Sequence, residues 1–160
     1  MEDRVSARLS NGLETVFPNE ADDIVIAGMG GELIASIIDD ASWLKDSEKR
    51  LILQPMTSPE ELRLYLASHG FSILRETAVA EDGHLYSVML VQYHPGETAF
   101  GELYPYAGKI IPSEQDGKAY ILHRAEGLQK KADGLAVAGK KEESRHYAQL
   151  AEQLRELANG

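Results

Sequence analysis

The chain has no cysteine, so neither a disulfide nor a thiolate zinc site is available to it. That absence fits a reducing compartment. No stretch approaches the roughly 18 apolar residues that a membrane-spanning helix needs. The first residues, Met-Glu-Asp-Arg-Val-Ser-Ala-Arg, lack the apolar core of a secretory signal. Together these absences make a cytoplasmic protein the expectation. Basic residues are also scarce, 16 Lys+Arg against 26 Asp+Glu, for a net charge of −10. Such a balance argues against a polyanionic partner. The deficit is local, however. Residues 1–105 carry 7 basic against 18 acidic side chains, a balance of −11, and residues 106–160 carry 9 against 8, a balance of +1. The doublets Lys130-Lys131 and Lys140-Lys141, with Arg145 nearby, all fall in that last third. A nucleic acid would be met there, although a solvated helix face has the same composition.

What is present is enough for one domain with a real core, or a smaller core with an appendage, in 160 residues. The stretch around which the rest is organised is residues 22–34. Ile24, Val25, Ile26 and Ala27 form a short apolar run that reads as a strand buried by both neighbouring helices. Gly28, Gly30 and Gly31 follow at once, and Leu33, Ile34, Ile37, Ile38 and Ala41 then recur on one helical face. This is a strand, a tight turn and a helix start, of the kind that sits at the carboxyl end of a strand in an open α/β sheet, where ligands bind.

The remainder takes a readable order. Residues 5–9 alternate and predict a strand, and Asn11-Gly12 a turn. Residues 50–55 predict a second buried strand ended by Pro55. Thr57 or Ser58 caps the next helix, with Pro59 in its first turn and Gly70 as its stop. Residues 71–79 and 85–93 predict an antiparallel pair about Asp82-Gly83. Residues 95–112 read as an irregular join. Beyond it, Ile121, Ala125, Leu128, Ala132 and Leu135, then Tyr147, Leu150, Leu154 and Leu157, step by threes and fours, predicting an antiparallel helical hairpin. Gly127 and Gly134 lie inside its first helix, where close backbone packing is the available explanation.

The glycine turn is not a phosphate fingerprint. Gly28-x-Gly30-Gly31 matches neither G-x-G-x-x-G nor a P-loop. Its glycines suit close approach of a ligand to the backbone, or a tight turn with no ligand. In a wider frame, Ser10-Asn11-Gly12-Leu13-Glu14, then D-I-V-I-A-G-M-G-G over 23–31 and L-I-L-Q-P over 51–55, resemble the bacterial tRNA (adenine-N1)-methyltransferase family acting on adenine 22. The segment Glu81-Asp82-Gly83-His84-Leu85-Tyr86, then Tyr104-Pro105-Tyr106 and the helical hairpin, follow in family order, so the resemblance covers nearly the whole chain.

The resemblance implies an α/β fold: part of a Rossmann-like methyltransferase sheet over 1–100, then a linker and a C-terminal antiparallel coiled coil over 101–160. It implies S-adenosyl-L-methionine as cofactor and N1 of an adenine in tRNA as acceptor. By the same resemblance Asn11 and Gly12 border the cofactor's adenine. Ala27, Gly28, Met29, Gly30 and Gly31 lie beside its methionine part and the target base, and Gln54 and Pro55 flank that cleft. Lys130, Lys131, Lys140, Lys141 and Arg145 contact the tRNA. No catalytic side chain is implied. The turn carries no side-chain acceptor, and an adenine ring nitrogen has a free lone pair, so proximity and orientation can supply much of the rate.

The family also has an upstream D-x-G-S/T-D-H-type loop and an acidic residue for the ribose, and this sequence contains neither. It opens at what would be the third strand. The expectation is an incomplete enzyme in which residues 5–9 are displaced, frayed or paired with another molecule. Self-association would run through the exposed sheet edge or the hairpin. The competing reading is a non-catalytic module that binds RNA or a partner through the hairpin. The five histidines lack metal-ligand spacing, and no metal site is expected. His123 and His146 could meet only across the hairpin. Asp22-Asp23 and Asp39-Asp40 read as solvated ends of elements. Tyr104 and Tyr106 could stack on a base but suit packing at the join.

Overall fold

A computed structural model describes residues 5–96 and 100–160. Strand β1 (Asp23–Gly30) runs directly into helix α1 (Gly31–Asp40), and a 3-10 turn (Ser42–Leu44) closes that unit. Then come β2 (Arg50–Thr57), α2 (Pro59–Ser68), β3 (Phe71–Glu81) and β4 (His84–Tyr93). A short helix α3 (Tyr104–Ala107) precedes α4 (Gly117–Val137) and α5 (Lys141–Asn159). The sheet order is β1-β2-β4-β3, with β1 parallel to β2 and both other pairings antiparallel. Asp82 and Gly83 both have positive φ, which matches the right-handed twist of the hairpin they close.

No strand forms over residues 5–9: residues 5–10 have no regular structure, with Val5 80% and Leu9 98% exposed. Alternation there finds no neighbour to pair with, because β1, the edge strand, pairs only with β2. Residues 8–20 are instead tied to themselves. Arg8 donates two hydrogen bonds to the Glu20 carboxylate at 2.7 and 2.9 Å, and the Phe17 N–H donates to the same group at 2.7 Å. Lys49 anchors the end of this segment. Its ammonium donates to the Pro18 and Ala21 carbonyls and to Asp22.

One face of the sheet is closed. Ile24 and Ile26, Leu51 and Leu53, Met89 and Val91, and Phe71 and Ile73 meet Ile34 and Ile38 of α1 and Leu62 and Leu66 of α2. The other face is not. Val25 is 65% exposed and registers beside Ile52, 37% exposed. The apolar run at 24–27 is therefore buried on one side only. A continuous apolar run signals two covered faces, but α1 and α2 both pack on the same one.

Pro55 does not end β2, which continues to Thr57. Pairing with β4 has already stopped at Leu53, so the missing proline N–H removes no bond to β4. The interval read as irregular holds the one short helix α3.

A second apolar cluster lies under the C-terminal helices. Ile121, Ala125 and Leu128 of α4 pack on Leu150, Ala151, Leu154 and Ala158 of α5, and reach Ala78 of β3. Leu157, read as part of the stripe, is 39% exposed, and Ala158 is buried in its place. The helical register simply advances by one residue. Gly127 and Gly134 are not packing glycines: a methyl at either would meet nothing within 4 Å.

The two clusters are joined by a buried polar bolt. The Arg63 guanidinium of α2, fully buried, donates to Glu76 of β3 at 2.7 and 3.1 Å, to the Pro105 carbonyl at 2.6 Å and to the Tyr120 hydroxyl at 2.8 Å. The Lys109 N–H adds a further bond to Glu76 at 2.9 Å. The Arg63 N–H groups and the Glu76 carboxylate each meet partners inside the bolt, as buried charge requires. Gly108, at φ +56, lies so close that a methyl would strike both Glu76 and Arg63.

Candidate functional site

The glycine stretch is a bulged strand end rather than a free turn. Ala27 registers with Gln54, Met29 with Pro55 and Gly30 with Thr57, with irregularities on both sides of Met29. Bulges of this kind re-aim the chain beside sites. The Gln54 amide fixes the bulge: its Oε1 accepts the Gly28 N–H at 2.9 Å. Gln54 and Pro55 thus lie against the glycine stretch through the pairing of β2 with β1.

The glycines are needed for different reasons. Gly28 has φ +76, and a methyl there would meet nothing within 4 Å, so its backbone faces open space. Gly31 has no such freedom. A methyl on it would collide with the Ser58 carbonyl, and one on Gly30 would press the Thr57 hydroxyl at 3.0 Å. Ser58 itself is left-handed (φ 51) and its side chain makes no capping bond, which corrects its reading as an ordinary cap. Its strained backbone leans the β2–α2 turn onto the β1–α1 turn.

Asn11 and Gly12 line a small cavity of about 70 Å³ against Leu33, Ser36 and Ile37 of α1. A methyl on Gly12 would press Ile37 at 3.1 Å. Asn11 donates to Glu14 at 2.7 Å. So α1 carries the Asn11-Gly12 loop along one side and the glycine bulge at its amino end. The two lie along one helix, not in a single cavity.

The hairpin residues are farther off. Lys130 and Lys131 line a cleft of about 300 Å³ between α4 and the start of α2, with Glu60, Glu61, Tyr106 and Arg124. The Lys131 ammonium sits 4.0 Å over the Tyr147 ring, and its interaction with Tyr147 raises its pKa. Lys140 and Lys141 are at the hairpin tip, exposed, with Lys140 3.5 Å from Glu143. Arg145 is exposed one turn further on. Because Lys131 faces Tyr147, His146 lies about two helical turns from His123 along the hairpin, and the two do not meet. Among the described residues no three acidic or imidazole groups converge as a metal site. Asp22 and Asp23 are salt-bridged to Lys49 and Arg50, and Asp39 accepts from Tyr65. Tyr104 packs on the first apolar cluster and Tyr106 on the second. Burial raises the pKa of both phenols, as packing residues at the join would show. Arg63, Glu76 and Lys49 were not legible in the sequence as partners, since each finds its contacts through tertiary packing.

Residues 1–89 match the methyltransferase domain family. The chain belongs to that family. This methyltransferase-domain chain is 34% identical over 107 residues to the tRNA (adenine(22)-N(1))-methyltransferase of Bacillus subtilis. That alignment covers 67% of the chain and 45% of the relative, so the chain spans less than half the length of the curated relative it matches. Among solved structures, an uncharacterized Listeria monocytogenes protein superposes with a TM-score of 0.79 at 25% identity, over 96% of this chain and 71% of that one. A Streptococcus pneumoniae protein, provisionally assigned as a tRNA (m1A22) methyltransferase and solved with S-adenosyl-L-methionine, gives 0.71 at 28% identity, over 92% and 67%. The methyltransferase-domain chain thus carries the Rossmann-like sheet, in part, together with two closely packed C-terminal helices.

Proposed function

We propose that this chain supplies the base-side wall and the RNA-contacting hairpin of an enzyme that methylates N1 of adenine 22 in tRNA. The observation that carries the reading is the bulge at Gly28, held by Gln54 and facing open space, in a chain similar to a tRNA (adenine-N1)-methyltransferase. S-adenosyl-L-methionine, when bound, supplies an electrophilic methyl group. Residues 1–100 would serve the cofactor and base, and residues 101–160 the RNA. Asn11 and Gly12 would border the cofactor's adenine. Ala27 to Gly31 would let cofactor and base approach the backbone without a side chain intervening. Gln54 would keep the bulge in shape, and Pro55 would flank the base. These residues orient and exclude water. The ring nitrogen carries its own lone pair, so positioning can supply much of the rate. The work is cytoplasmic, where tRNA is.

Lys130, Lys140, Lys141 and Arg145, exposed along the hairpin, would contact tRNA phosphates. Lys131, held over Tyr147, would act with them from the cleft. The chain holds one wall of the cleft, so its own affinity for S-adenosyl-L-methionine is expected to be weak and its turnover slight. Its β1 edge and the bare face around Val25 would favour self-association. Light scattering at rising concentration reads that directly.

The experiment is a pair of titrations. Calorimetry with S-adenosyl-L-methionine tests the cofactor side, and gel retardation of tRNA tests the hairpin. Weak but saturable cofactor binding, abolished by Gly28→Val, supports the reading. The exposed lysines of the hairpin favour one alternative, a non-catalytic RNA-binding module. Retarded tRNA with no heat from the cofactor at millimolar concentration would establish that alternative. Loss of retardation in the Lys140→Glu/Lys141→Glu variant would locate the RNA contact at the hairpin tip.

A further inference from the structure

Two directional ties join the hairpin to the sheet unit, and both run between the same pair of helices. Near the start of α4 the Tyr120 hydroxyl, on a buried side chain, accepts from the Arg63 guanidinium of α2 at 2.8 Å. One turn further along α4, Arg124 donates to Glu60 of α2 at 2.5 Å. Tyr120 and Arg124 are four residues apart and Glu60 and Arg63 three, so each helix offers both of its groups on one face. Arg63 is itself held by Glu76 of β3 at 2.7 Å and by the Pro105 carbonyl at 2.6 Å. Apolar packing has no direction of its own. A hydrogen bond does, because it weakens steeply with misalignment. Two such pairs, a turn apart, fix the angle at which α4 crosses α2 as well as the place where they touch.

That angle matters because α4 is a lever. It runs on from Tyr120 to Val137 at the tip, roughly 25 Å at about 1.5 Å per residue. Val137 is 91% exposed, and Lys140 and Lys141 follow it. A tilt of about 10° at the ties carries the tip roughly 4 Å over that length. A misplacement of about 1 Å at a reacting group can cost on the order of a hundredfold in rate. Resting on the reading of the chain as a tRNA-modifying protein, we propose that Glu60, Arg63 and Tyr120, with Arg124 and Glu76, are positioning residues for the RNA. They fix the direction in which the hairpin leaves the sheet. RNA gripped at the tip is thereby presented with its target adenine at the Gly28 bulge. An apolar join would hold the two units together and leave that direction loose, whereas buried polar pairs can select a single arrangement.

The chain has no cysteine, so spin labels can be placed at Glu48→Cys, just before β2, and at Val137→Cys, at the tip. The test variant is Glu60→Gln/Tyr120→Phe. It cuts both ties, removes no cation and leaves Arg63 paired with Glu76. The label-to-label distance distribution, read by pulsed electron resonance, should be narrow in the parent and clearly broader in the variant. Retardation of tRNA should stay within about threefold of the parent, since every phosphate-contacting lysine is retained. In the isotope-labelled parent, tRNA should shift the amides of Gly28 to Gly31. In the variant those shifts should shrink severalfold at equal occupancy. Arg124→Lys, which keeps the outer pair, should track the parent. An equally narrow distribution in the variant, or undiminished shifts at the bulge, would overturn the positioning role and leave the proposed function standing. A parent chain that fails to retard tRNA would instead break the proposed function, and the placement of RNA with it. Should the double variant unfold, Glu60→Gln alone cuts the outer tie and should broaden the distribution to a lesser degree. No broadening there also overturns the inference.

Discussion

The join at Arg63 and the bulge at Gly28 are built on opposite plans. At the join every polar group is answered: Arg63, Glu76, Tyr120, the Pro105 carbonyl and the Lys109 N–H close on one another out of water. At the bulge one side-chain amide holds one backbone N–H, and the backbone beyond it faces open space. Both places use a glycine of positive φ, but at Gly108 the glycine makes room for packed partners and at Gly28 it keeps a surface bare. Rigidity is concentrated where the hairpin meets the sheet. Access is preserved where a ligand would come in.

The sharpest way to break this contrast is to unbalance the bolt. Glu76→Gln leaves the Arg63 charge buried without its counter-ion, and should destabilise the chain by about 3–5 kcal/mol. Calorimetric melting should fall by roughly 10 °C or more for a chain of this size. The paired replacement Arg63→Met/Glu76→Leu should recover most of that loss. A next step separates two neighbouring glycines. Gly31→Ala forces a methyl onto the Ser58 carbonyl and should cost about 1–3 kcal/mol, like other overpacked sites. Gly28→Ala meets no atom and carries only the left-handed backbone penalty, about 1 kcal/mol. Chemical denaturation should therefore rank Gly31→Ala as the worse folder, while cofactor calorimetry ranks Gly28→Ala as the worse binder. A reversed order would show that the bulge is structural throughout.

Smaller effects mark the single bond at the bulge. Gln54→Ala should leave melting nearly unchanged and speed exchange of the Gly28 amide severalfold, because that N–H loses its one acceptor. The smallest effect concerns the amino-terminal segment. Hydrogen bonding from Arg8, then from the Phe17 N–H, draws the Glu20 carboxyl down from 4.5 to about 2. A depressed carboxyl pKa contributes order that is fully present above pH 4.5 and is lost as pH falls through about 2. Residues 8–20 should loosen across that window while α4 and α5 do not. A carbon-detected titration of Glu20 with a midpoint near 4.5 would remove the prediction.

Much of the architecture was legible because it rests on near neighbours in the chain. Periodicity marked α1, α2, α4 and α5, and Asp82-Gly83 marked the hairpin through its positive φ. Two outcomes turn on a neighbour. Residues 5–9, expected to be displaced for want of a partner strand, are unpaired and exposed, whereas the run at 24–27, read as buried, leaves Val25 65% exposed. Each depends on whether another element lies alongside, and a local pattern carries no information about that neighbour. The candidate site divides in the same way. Gln54 and Gly28 were named together from two short motifs, yet their bond exists only because β1 and β2 register in parallel.

By itself the sequence determined the elements, the glycine stretch at the end of β1 and the basic bias of the last third, all of which follow from residue type and spacing within a few turns of chain. Only the tertiary structure decided which glycine is held by packing and which stands open, which sheet face is bare, and that Arg63 and Glu76 lock the hairpin to the sheet. Those outcomes depend on groups 13 to 57 residues apart being brought within hydrogen-bond distance, and no local rule places them there.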